Sequence, residues 1–97
     1  MAYGALTLGA AALTAPFLGR IRAAREAIAC FQQAIELYRE LSDRFHEADT
    51  LTHLGDAHHS AKDLDAARLA WQQALTILDE LDHPDAERVR ANLHRLV

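Results

Sequence analysis

With Cys30 as its single cysteine, the chain has no second thiol to form an internal disulfide, and a reducing, cytoplasmic setting is the expectation. Only two prolines and four glycines occur in 97 residues, too few breaks for an all-β chain with its many turns. β-branched residues are also scarce beside Ala and Leu, which disfavours strands further. The opening MAYGALTLGAAALTAPFLG is apolar, but Gly4, Gly9 and Pro16 interrupt it and no basic residue leads it. Neither a membrane span nor a secretory leader is therefore expected. There is no glycine-rich phosphate loop, and the only serines, Ser42 and Ser60, lie in no nucleophile elbow. Catalysis and bound cofactors are not expected.

A formal charge of −4 argues against a nucleic-acid surface. The charge is unevenly placed. All 14 acidic residues fall between Glu26 and Glu87, where only Arg39, Arg44, Lys62 and Arg68 oppose them. The six remaining arginines, Arg20, Arg22, Arg25, Arg88, Arg90 and Arg95, flank this acidic middle. The layout favours either a basic partner or contacts between the ends and middles of separate copies.

The chain repeats itself at an offset of 40 residues. AIACFQQAIELYREL (27–41) falls on ARLAWQQALTILDEL (67–81), with Phe31 on Trp71 and Gln32-Gln33-Ala34 on Gln72-Gln73-Ala74. Each copy carries one apolar stripe with helical spacing. The stripes run through Ala24, Ala27, Phe31, Ala34, Tyr38 and Leu41, and through Leu64, Ala67, Trp71, Ala74, Leu78 and Leu81. Alanines mark the places where another helix must come close, and the aromatic fills the space beside them. Between the copies, Phe45, Ala48, Leu51, Leu54, Gly55 and His58 form another helical stripe. Ser42 or Asp43 is placed to cap one helix start and Asp63 the next, and His83-Pro84-Asp85 opens a last helix.

These signals predict an all-α fold of antiparallel helix-turn-helix repeats with about five helices, near 2–15, 20–41, 43–60, 63–81 and 84–96. One domain spans 1–97. It comprises an apolar first helix over 1–19 packed on the rest, a repeat core over 20–82 and a capping helix over 83–97.

The segment from Ala48 to about Glu80 resembles the tetratricopeptide repeat family. It carries Leu54-Gly55 in its first helix, His58 where the family has tyrosine, and then Ala67, Trp71 and Ala74. The resemblance implies an α-solenoid in which Gly55 permits close approach, Ala67 and Ala74 sit at tight crossings, and Trp71 wedges between repeats. The first copy matches through Ala27, Phe31 and Ala34, but no Leu-Gly pair falls 12 residues before Ala27 as Gly55 does before Ala67. The longer stretch over roughly 24–94 is similar to the C-terminal repeats of large actinobacterial regulators. Those regulators control antibiotic production or carry a nucleotide-switched signalling module.

In the family, the first helix of each repeat lines a concave groove. That places Asp49, Thr52, Asp56 and His59 on the groove face here. Two of the four are acidic, so a segment rich in Lys or Arg is the expected occupant, in place of a terminal carboxylate. The expected function is protein–protein interaction in a regulatory context, with self-association through the helical ends as the alternative. His46, Asp49, His53 and Asp56 are spaced along one helix, but His46-Glu47 lacks the second histidine of the zinc protease motif. No metal site is expected. Cys30, beside Phe31, reads as a packed thiol.

Overall fold

A computed structural model describes the backbone of residues 2–96 and the side chains of residues 19–96. It contains helices α1 (Ala2–Glu40), α2 (Arg44–Ser60), α3 (Leu64–Glu80) and α4 (Ala86–Arg95), with no strand among the described residues. Successive helices pack on each other in the order α1–α2, α2–α3, α3–α4. Among the described residues the helices number four where the sequence predicts about five, because the segments expected at 2–15 and 20–41 are one continuous helix. Pro16 removes one intrahelical hydrogen bond, but the φ it fixes is a helical one, and the Ala- and Leu-rich flanks favour helix on both sides. The expectation that residues 1–19 pack on the rest concerns side chains that, up to residue 18, lie outside those described.

The three connections share one backbone design. Two positions past the ends of α1, α2 and α3 stands a residue with left-handed φ: Ser42 at 56°, Lys62 at 66° and Asp82 at 51°. At each, two amide N–H groups turn back to the last helical turn. Asp43 N donates to Tyr38 O at 2.9 Å and Ser42 N to Arg39 O at 3.1 Å, and the same pair recurs after α2 and α3. This is the Schellman arrangement, which ordinarily uses glycine at the left-handed position. A side chain there crowds the following carbonyl. Ser42 has no side-chain hydrogen bond among the described residues, so Ser42→Gly is expected to raise stability by about 1 kcal/mol. Urea unfolding followed by circular dichroism checks this, and a midpoint unchanged or lowered would contradict it.

The next residue caps the next helix. Asp43 accepts from His46 N at 3.2 Å and Asp63 accepts from Ala66 N at 3.2 Å, satisfying amides that the helix itself leaves open. At α4 the task passes to an imidazole: His83 Nδ1 accepts from Asp85 N at 3.1 Å, and Asp85 makes no capping bond with its own side chain.

The core lies along α3. Ala67 and Ala74 are fully buried, Ala70, Trp71, Ile77 and Leu78 nearly so, and they pack with Ile35 of α1, Ala48, Leu51 and Leu54 of α2, and Ala86 and Val89 of α4. A Cβ on Gly55 would fall inside the Trp71 indole. That close approach lets Trp71 Nε1 donate to Thr52 O at 3.1 Å. The alanines, Leu54, Gly55 and Trp71 singled out in the second copy therefore form the tight crossing. Ala27, Phe31 and Ala34 of the first copy are only half-buried.

Polar contacts reinforce the order of the helices. Glu47, 4% exposed, receives Arg39 Nε at 3.0 Å and Arg44 Nη1 at 3.3 Å, and Arg44 also reaches Glu80 at 2.6 Å. One carboxylate thus ties α1 to α2, and Arg44 extends the tie to α3. The hydrogen bond with Glu80, joined by the charges of Glu80 and Glu47, raises the Arg44 guanidinium above its ordinary value. Arg90 holds Asp79 at 2.9 Å and also meets Glu87, linking α4 to α3. At the same end, Tyr38 stacks on His46 at 5.3 Å, and Phe45 meets His46 at 5.3 Å and His83 at 4.9 Å.

Candidate functional site: the α2 ridge and its two clefts

Helix α2 packs on α1 along one side and on α3 along the other, so its remaining surface forms a ridge. Asp56 and His59 stand exposed on that ridge and line a cleft on each flank. The larger, of about 800 Å³, opens between α1 and α2 over Ile21, Ala24, Ala27, Phe31 and Ala57, with Arg20 and Lys62 at its margin. The smaller, of about 250 Å³, is bounded by Trp71 of α3 and by Asn92, Arg95 and Leu96 at the end of α4. His59 lies over Trp71 with ring centroids 5.9 Å apart. Asp56 has no ion-pair partner among the described residues.

The other two residues expected on the groove face fare differently. Asp49 is half-buried, with its carboxylate 3.8 Å from His53 Nε2, and His53 in turn stacks on Phe31 at 5.9 Å. It flanks the larger cleft through His53, which lines it. Thr52 does not belong to the accessible face. It is 2% exposed and its hydroxyl donates to Ala48 O at 3.0 Å. Three residues on a helix turn it about 60° from Asp49, towards α3. A side chain that short is covered there and satisfies its hydroxyl on its own helix.

Other expectations are resolved at the same level of detail. His46 bonds Asp43 at 2.8 Å while His53 turns to Asp49, and Asp56 has no ion-pair partner among the described residues, so the four spaced side chains do not converge on one point. Among the described residues, no group of three or more His, Cys, Asp or Glu side chains is placed to hold a metal ion. His58 is half-buried. Cys30 is exposed, not packed, since among the described residues no helix packs on the α1 flank that carries it. Sequence reasoning missed Arg20, Ile21 and Lys62 as cleft residues. Their only signal was position, midway along α1 and in the α2–α3 turn.

What the arrangement offers is a concave, partly apolar surface with a free carboxylate at its crest. Among the described residues, no helix is long and apolar enough to cross a membrane.

Comparison with known proteins agrees with this geometry. The chain is 35% identical over 65 residues, 67% of its length, to the regulatory protein AfsR of Streptomyces griseus, and spans 7% of that protein. No solved structure matches. The sequence profile described as tetratricopeptide repeat matches residues 17–80, which covers the C-terminal part of α1 and all of α2 and α3. The chain belongs to the tetratricopeptide repeat family.

Proposed function

We propose that this chain is a protein–protein interaction module that receives a segment of a partner protein across the α2 ridge, in a regulatory setting. The observation that carries the reading is Asp56, exposed and unpaired among the described residues at the crest between two clefts. A carboxylate there, beside an apolar floor that includes Phe31 and Ala57, fits a partner segment offering a Lys or Arg and a neighbouring apolar side chain. Similarity to a regulatory protein over most of the chain supports the regulatory setting. The module works by surface complementarity, without chemical change, and the lone exposed Cys30 fits a reducing, cytoplasmic compartment. Nucleic acid is not its direct ligand, given the net charge of −4.

The test is titration with short peptides pairing basic and apolar residues, against acidic counterparts of equal length. Basic peptides are expected to bind, and Asp56→Lys to weaken them about tenfold, as loss and reversal of one charge contact of roughly 1–2 kcal/mol implies. Equal binding of basic and acidic peptides, or no response to Asp56→Lys, would remove the reading.

A second reading is self-association through the helical ends. Leu37 of α1 and Leu41 just after its end are 54% and 65% exposed on a flank that no helix covers among the described residues, and apolar flanks of this kind bring chains together.

A further inference from the structure

We infer that copies of this chain join head to tail, the outer face of α4 in one copy seated on the uncovered flank of α1 in the next. This rests on the self-association reading and specifies which surfaces serve it.

The 40-residue repeat supplies the first part of the argument. Laying α1 on α3 pairs positions of the same kind in different surroundings. Cys30 is exposed where Ala70 is 3% exposed, and Leu37 is 54% exposed where Ile77 is 5%. Ala27 and Ala34 are half-buried where Ala67 and Ala74 are at 0%. Helix α3 is covered by α2 on one side and by α4 on the other, whereas among the described residues α1 is covered by α2 alone, which takes the place α4 has on α3, so α1 lacks a helix in the place of α2. Residues 23, 27, 30, 34, 37 and 41 follow the alternating four-three spacing with which one helix presents a seam to another. The α1 flank is thus a seat for a helix running antiparallel to it.

Charge selects the occupant. Glu26 and Glu40 border the outer edge of the seam, one position before Ala27 and Leu41, and neither has an ion-pair partner among the described residues. A second α1 laid antiparallel on the seam would set these glutamates against their own copies. Helix α4 is the opposite case. Its Arg90 is engaged with Asp79 and Glu87, but Arg88, Ala91 and Arg95, three and four residues apart, form an exposed basic face. Arg88 and Arg95 have no ion-pair partner among the described residues.

The internal register shows how the two surfaces meet. Gly55 of α2 lies against Trp71 of α3. The same relation, shifted by one repeat on each side, brings residue 95 of α4 towards residue 31 of the next α1. Antiparallel passage then sets Arg88 opposite residue 38, two residues before Glu40, and Arg95 opposite residue 31, with Glu26 five residues, about 7.5 Å, further along the helix. Arg95 occupies the place of Gly55, so this crossing is wider than that of α2 on α3. The arginine stems lie along the alanine and leucine seam while their guanidinium groups reach the glutamates. An interface closed by exposed charges is weak and sensitive to salt. Because its two halves are different surfaces, every copy keeps one of each free, and growth past the dimer follows.

The experiment is light scattering on the whole chain across a concentration series at low and high salt. It also includes E26R/E40R, R88E/R95E and their equimolar mixture, each first shown by circular dichroism to be folded. Wild type is expected to gain mass with concentration beyond a dimer and to lose it in salt. Each charge-reversed variant alone is expected to stay monomeric, and the mixture to regain the large species, because each variant then meets complementary charge at both ends. If the variants associate as wild type does, or the mixture fails to recover, the head-to-tail surfaces are wrong while self-association stands. A wild type that is monomeric throughout overturns both.

Discussion

Trp71→Ala is expected to remove roughly 3–5 kcal/mol of stability, the range for emptying a buried aromatic site. The indole is 4% exposed and sits among Ala67, Ala70, Ala74, Leu51 and Leu54. Small neighbours such as these have few atoms with which to refill the space, so the cavity term stays large. The substitution also leaves Thr52 O, the acceptor of the indole N–H, without that partner in a buried place. For a chain of this size the total stability is of the order of 5–15 kcal/mol, so the variant would sit at the edge of folding. Urea unfolding monitored by far-ultraviolet circular dichroism measures the effect. A loss below about 1 kcal/mol would mean that the α2–α3 crossing closes over the gap.

Gly55→Ala should destabilise for the opposite reason. The added Cβ would lie within the indole of Trp71, and the ring cannot swing aside without giving up its bond to Thr52 O. Overfilling a packed site costs typically about 1–3 kcal/mol, and the upper part of that range applies because ring and backbone are both held. The two substitutions touch the same space, so their effects should not add. In the Trp71→Ala background, Gly55→Ala is expected to cost nothing measurable or to restore some stability, a coupling of about 1–3 kcal/mol in a double-mutant cycle. Strict additivity would show that the two positions do not share the crossing.

Much of this crossing was legible in the sequence, because repetition constrains meaning. Ala67, Trp71 and Ala74 recur with Ala27, Phe31 and Ala34 at a fixed offset, and a stripe that occurs twice reveals both its helix and its face. The cap at Asp63 was readable, and Asp43 was one of two candidates with Ser42, because each follows a helix end and precedes an apolar periodic run. What the repeat could not convey was context. Cys30 and Ala70 hold the same place in the pattern, yet one is exposed and the other buried, since burial depends on whether another helix arrives. Thr52 was misplaced because helix geometry puts Thr52 and His59 at similar angles, and only the neighbouring α3 decides that the short side chain is covered. Pro16 was read as a break because proline is a breaker on average, whereas its fixed φ suits a helix that its flanks already favour. The Arg39–Glu47–Arg44–Glu80 contacts join residues up to 36 apart, and no local pattern announces them.

The single tryptophan of the chain lies at the boundary between the core and the smaller cleft, in contact range of His59 and beside Arg95. That position makes the molecule its own optical gauge. Light emitted by this one ring reports on the wall of the cleft, so an arriving segment can be followed without attaching a dye. The signal from an occupied cleft differs from that of an unfolding chain: one alters the ring's polar neighbours while the helices persist, and the other opens the ring to water as the helices melt.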